Sequence, residues 1–192
     1  MRWRRALAII ATIINTEPTD TMPYFLRIAQ TIDRFTELTA RGLAWLTLAT
    51  MLLLAAVVFT RYGLQYGSVA LQESVTYLHA TVFMLGIACA LKRDEHVRVD
   101  IFYRHFSPRA KAWVNSLGAI IFLLPLCVYI GTSSIDFVSQ SWHIHESSSE
   151  PGGIPAVYLL KSLIPLMAIN LALQALAEIL RNAAVLVGDH HA

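Results

Sequence analysis

Residues 42–62 read GLAWLTLATMLLLAAVVFTRY, an apolar run whose one charged residue, Arg61, stands at its far edge. The hydrocarbon core of a bilayer is about 30 Å thick and takes about 20 helical residues to cross. This run is therefore a membrane span, and the remaining chain is read outward from it. The stretches QESVTYLHATVFMLGIACAL (72–91) and 113–134 meet the same requirement. A fourth, 155–180, is less uniform, carrying Lys161, Pro165, Asn170, Gln174 and Glu178. Polar groups inside a span are costly unless they face protein rather than lipid. Charged residues make up 15% of the chain and apolar ones 56%, and the charges fall between the apolar runs. A soluble domain carries about a quarter charged residues, spread over its surface. The fold class is an all-α membrane protein: four transmembrane helices in one domain (42–181), preceded by an N-terminal interfacial amphipathic helix (24–41).

Orientation follows from Lys and Arg in the short flanking segments. Arg2, Arg4, Arg5, Arg27, Arg34 and Arg41 precede the first span. Lys92, Arg93, Arg98, Arg104, Arg109 and Lys111 lie between the second and third, and Arg181 follows the fourth. The opposite side offers only Arg61 and Lys161, and residues 135–154 contain Asp136, Glu146 and Glu150 without a Lys or Arg. Both termini and the middle loop are expected in the cytoplasm of a bacterial cell, with the chain multi-pass in its inner membrane. No basic stripe interleaved with aromatics points to nucleic acid.

The first residues, MRWRRALAIIATIIN, resemble a signal peptide, but Thr16, Glu17 and Pro18 follow where a small-residue cleavage site belongs. Residues 1–23 are expected to be a loosely ordered cytoplasmic extension; a true start at Met22 is the alternative. Phe25, Ile28, Ile32, Phe35 and Leu38 then recur at spacings of three and four. That pattern predicts an amphipathic helix in the plane of the cytoplasmic interface, with membrane lipid as its partner and a bend near Gly42. The alternative is a straight extension of the first span. Ser107-Pro108 fits an N-cap and first helical position. The Gly/Pro-rich outer segment QSWHIHESSSEPGGIPAVY (140–158) reads as a turn, and residues 182–192 as a cytoplasmic tail.

The residues point away from an enzyme. His143, His145 and Glu146 share one loop and lack a second element to complete a metal shell. His79 alone lies well inside a span, whereas a b-haem needs paired histidines on facing helices. By helical rise Cys127 sits roughly 20 Å from the cytoplasmic face while Cys89 lies within a turn of it, too far apart for a disulfide. Glu73, at the outer start of the second span, suits a helix N-terminus or a partner subunit. Lys161 can snorkel to the outer interface. Asn170, Gln174, Glu178 and Arg181 form one stripe at spacings of four, four and three. The stripe can be satisfied inside the bundle or by another chain.

These motifs, in their order, resemble the small membrane subunit (DctQ-type) of tripartite ATP-independent periplasmic (TRAP) transporters. The resemblance rests on Arg61-Tyr62-Gly63, Glu73 and LGIACALKRDEHVRVD (85–100), with Gly86, His96, Val97, Arg98, Val99 and Asp100. It continues through SSSEPGGIP (147–155), KSLIPL (161–166) and Gln174. The family often has Trp before the glutamate, where this chain has Gln72.

The resemblance implies two protein partners, a large TRAP membrane subunit and a periplasmic substrate-binding protein. It implies no cofactor in this chain, since sodium-coupled elevator-type movement belongs to the large subunit. This chain would be the scaffold of a transporter for organic acids (carboxylates). Glu73, His96, Arg98, Asp100, Lys161, Asn170, Gln174 and Glu178 become candidate partner-subunit or structural contacts. Glu150, Gly152 and Gly153 become a candidate docking loop for the binding protein. The rival expectation from the residues alone is an independent homo-oligomeric exporter or channel built around Glu73 or His79.

Overall fold

The computed structural model describes residues 24–94, 103 and 105–188. Among the described residues, four stretches of helix are long and apolar enough to cross a membrane. Helix α1 is Tyr24–Gly63 and α2 is Val69–Lys92. The third crossing, Pro108–His143, is built from α3 (Pro108–Gly118), a π-helical turn (Ala119–Leu123) and α4 (Leu124–His143). Helix α5 is Val157–Gly188. The helices alternate in direction, so the start of α1, the end of α2, the start of α3 and the end of α5 gather at one end, here the basic end. Residues 64–68 and 144–156 close the other, the loop end.

Local chemistry sets the boundaries. The Ser68 hydroxyl accepts from the Leu71 N–H at 3.4 Å to start α2, and Ser107 caps α3 through the Ala110 N–H at 3.3 Å, with Pro108 next, as its sequence predicts. The wide turn at Ala119–Leu123 stands directly before Pro125. Proline has no N–H to give the carbonyl four residues back, and its ring crowds that carbonyl. A π turn opens the backbone locally, and the Leu124 N–H reaches Ala119 O instead. Helix α5 continues through Pro165.

A separate interfacial helix at 24–41 is not what the chain builds; α1 is one helix of 40 residues. No proline interrupts it, and Gly42 alone costs only about 1 kcal/mol. Ala29, Thr36 and Leu43 are its buried residues, seven apart, and their line runs straight past Gly42. Of the apolar stripe expected to mark the interface, Ile28, Phe35 and Leu38 are exposed. The first three crossings also extend beyond the expected spans at 42–62, 72–91 and 113–134, and the fourth, expected at 155–180, begins at Val157 and runs past 180, because the helices continue into polar ends that hydropathy windows leave out. The expected tail from 182 is still helix as far as Gly188. Residues 1–23 lie outside the described residues.

Helix α5 is the hub, packing against α1, α2, α3 and α4. The core between helices consists of small side chains, among them Ala88, Ala112, Ala119, Ala168, Ala175 and Ala177. Without a hydrophobic drive between helices in lipid, close backbone approach through small residues is what associates them. The large apolar side chains, such as Trp45, Phe59, Phe122 and Tyr129, are exposed on the outside.

Candidate functional site

At the basic end, the buried polar groups of α5 tie α1 and α2 down. Gln174 is 0% exposed. Its Oε1 accepts from Thr36 Oγ1 at 2.8 Å, and its Nε2 donates to Asp33 Oδ1 at 3.0 Å. Arg181, two turns on, donates from Nη1 to both oxygens of Asp33 at 2.7 and 2.6 Å. Lys92 at the end of α2 donates to the Asp33 carbonyl at 2.8 Å and pairs with Glu37 at 3.2 Å. Asn170, one turn above Gln174, donates to Leu85 O at 3.3 Å. Three helices are thereby pinned by hydrogen bonds that lie mostly out of water, where each is electrostatically strong.

At the loop end, Glu73 holds residues 146–156. Its Oε1 accepts from the Ser148 hydroxyl, and its Oε2 accepts from the Ile154 N–H at 2.6 Å. The Ser148 Oγ accepts in turn from the Glu150 N–H at 3.1 Å, and the Ser148 N–H donates to Ile154 O at 3.2 Å. Gly152 has φ of +80°, open to glycine without strain. Gly153 is required by space: a Cβ there would lie 2.7 Å from Glu73 Oε1 and closer still to the Ser148 side chain. Glu150 and Gly152 are left exposed at the tip. Beside this latch, Lys161 pairs with Glu146 and stands 4.0 Å over the Phe137 ring. Trp142 packs edge-on to Tyr158 at 4.7 Å and donates from Nε1 to Ser162 Oγ at 2.8 Å.

The structure thus gathers Glu73 with Gly153 and the Glu150 tip, and aligns Asn170 and Gln174 inward on α5. Lys161 has an acidic partner, Glu146. Glu178 also takes part in an interaction. His96, Arg98 and Asp100 lie outside the described residues. Sequence reasoning missed Ser148 and Glu146 at one end, and Asp33 and Thr36 at the other, because their partners are far away in the chain. His79 is exposed and stacks on Phe83 at 6.5 Å. Cys89 and Cys127 are free and buried. Among the described residues, no three His, Cys, Asp or Glu side chains gather as a metal site.

The hydrogen-bonded Lys161 ammonium holds the Glu146 carboxyl below the usual carboxylate range. A depressed acid stabilises the folded loop fully above its unfolded pKa and loses that contribution as pH falls through the lowered value. The Glu146 and Val157 amides, which frame the loop through bonds to Ser141 O and Glu146 O, should exchange slowly at neutral pH. Their protection factors should fall under acid conditions below the normal carboxylate pKa. Lys161→Gln should lower protection at neutral pH and flatten the profile; an unchanged profile would show that the ion pair does not hold the loop.

Both ends are mechanical clamps, and their geometry holds helices and a loop in place. A family model described as "Tripartite ATP-independent periplasmic transporters, DctQ component" matches residues 29–185. That stretch contains both clamps and every crossing except the first turn of α1 and the last of α5. Comparisons with curated proteins and with solved structures give no match. The chain belongs to the DctQ family and is the small membrane component of a TRAP transporter.

Proposed function

We propose that this chain is the static scaffold of a sodium-coupled, binding-protein-dependent TRAP transporter for organic acids. On this reading it braces and anchors the large membrane subunit, and the transported carboxylate and sodium pass through that subunit. One observation carries the proposal: the buried polar side chains of α5 are used to clamp neighbouring helices. Gln174 and Arg181 close on Asp33 and Thr36, while large apolar side chains face outward. A transport site needs polar groups available to a solute; a brace needs them spent internally. The basic end would face the cytoplasm, in keeping with its arginines and lysines, and the loop end the periplasm. There the exposed Glu150–Gly152 tip, propped by Glu73, would meet the binding protein.

Reconstitution tests this directly. Proteoliposomes holding this chain and the large subunit, with binding protein outside and an inward sodium gradient, should take up labelled carboxylate. Neither membrane subunit should do so alone. Flux from this chain by itself would instead favour the homo-oligomeric exporter or channel.

A further inference from the structure

In the outer crease between α1 and the end of α2, cations outnumber the acid they surround. Glu37 pairs with Lys92 at 3.2 Å and with Arg93 at 3.5 Å. Arg34, three residues before it, and Arg41, four after, are its neighbours along the surface of α1. Both are exposed, and among the described residues neither guanidinium makes a hydrogen bond or an ion pair. Four cations thus stand around one carboxylate, a surplus of three. Asp33 relieves none of it, since Arg181 takes both its oxygens. Asp94, beyond Arg93, is exposed and has an interaction of its own; counting it in full still leaves a surplus of two. The C-terminal end of α2 offers only about half a charge in return.

Depth and surroundings indicate what meets this surplus. Lys92 and Arg93 follow directly on the apolar run 72–91, so the cluster stands where hydrocarbon gives way to headgroups. Leu38, 67% exposed, lies between Arg34 and Arg41 on the same open face of α1, and Trp45, 74% exposed, stands one turn past Arg41. Exposed tryptophan at that level is a membrane-interface anchor. A soluble anion has no use for either side chain, whereas acyl chains cover both. The guanidinium fork matches phosphate oxygens two at a time. A choline or ethanolamine headgroup brings a cation of its own, which the surplus repels; an anionic headgroup does not.

We propose that Arg34, Arg41, Lys92 and Arg93 form a seat for the phosphate of an anionic phospholipid, in the leaflet at the basic end. Glu37, at its centre, is the internal competitor: it holds Lys92 and Arg93 in place and sets how much charge remains for the lipid. The bound lipid staples α1 to α2 from outside the buried clamp at Gln174.

The test is thermal unfolding of the full chain in neutral detergent, titrated with phosphatidylglycerol or with phosphatidylcholine of the same acyl chains. Phosphatidylglycerol should raise the midpoint saturably, and phosphatidylcholine should not. Arg34→Gln and Arg41→Gln should each weaken the apparent affinity about fivefold, the worth of one basic residue at an anionic surface, with the lipid-free midpoint at or above wild type. Arg61→Gln, exposed at the loop end, should change neither. Glu37→Gln should raise the affinity, a gain that a merely structural ion pair would not give. Native mass spectrometry should retain phosphatidylglycerol on the wild type and lose it from the double arginine variant. Equal stabilisation by both lipids, or titrations unmoved by the arginine variants, would overturn the seat and leave ordinary surrounding lipid. Stabilisation by inorganic phosphate, with no further rise from phosphatidylglycerol, would overturn it in favour of a soluble anion. Release of the retained lipid on binding the large subunit would overturn it in favour of an acidic stretch of that partner.

Discussion

Replacing Asp33 with alanine should destabilise the bundle by about 2–3 kcal/mol, more than any other single change at the basic end. Asp33 is the acceptor for Arg181 on both oxygens and for Gln174 on one. Its loss leaves the Gln174 amide, fully buried, without an acceptor. Breaking a fully buried ion pair costs about 3–5 kcal/mol, but the Arg181 side chain is 36% exposed and that of Asp33 23%. Arg181 can therefore turn partly to water, which lowers the figure. Gln174→Leu should cost less. The Thr36 hydroxyl it abandons can fall back on a carbonyl of its own helix, as Thr31, Thr39, Thr47 and Thr50 already do at i−4. Asp33→Asn should lie between, keeping one acceptor but losing the charge. Thermal unfolding in detergent, with limited proteolysis of α1 ahead of Leu43, ranks the three. An Asp33→Ala protein as stable as Gln174→Leu would show that Arg181 adds nothing to the clamp.

The four crossings were legible in the sequence because an apolar window long enough to span lipid has few other uses. The α3 start was legible too, since Ser107-Pro108 carries a local capping mechanism. The continuity of α1 was not. Its conspicuous residues, Ile28, Phe35 and Leu38, face outward, and its packing line is the inconspicuous Ala29, Thr36 and Leu43. In water such an apolar stripe would mark the core. In a membrane bundle small residues pack inward and large ones outward, so the amphipathic pattern marked the outward side and left the packing line unread. The stripe at Asn170 and Gln174 announced a protein-facing side, but not whose protein. Gln174 finds Thr36 across 138 residues and Glu73 finds Ser148 across 75. No local spacing encodes pairings at such separations. That the chain answers Pro125 with a wider turn depends on backbone geometry that composition does not carry.

The same long-range pairing makes Gly153→Ala the most disruptive small substitution at the loop end. The added methyl would sit 2.7 Å from Glu73 Oε1 and nearer to Ser148 Cβ and Oγ, closer than real Cβ atoms approach. The Ser148 hydroxyl would have to leave Glu73, and with it goes the acceptor that holds the Glu150 N–H. The exposed tip would then lose its prop while every helix kept its packing. If the tip docks the binding protein, the half-saturating concentration of binding protein for uptake should rise about tenfold, equivalent to about 1.4 kcal/mol. The maximal rate and the yield of assembled complex should change little. Ser148→Ala should reproduce part of the effect by removing the same hydrogen bond without a clash. Gly86→Ala and Gly118→Ala, where a Cβ meets nothing within 4 Å, should leave uptake unchanged. Uptake that stays normal in Gly153→Ala, while amide exchange shows the loop released from Glu73, would remove this loop from the docking surface. The latch would then serve only to close the end of the bundle.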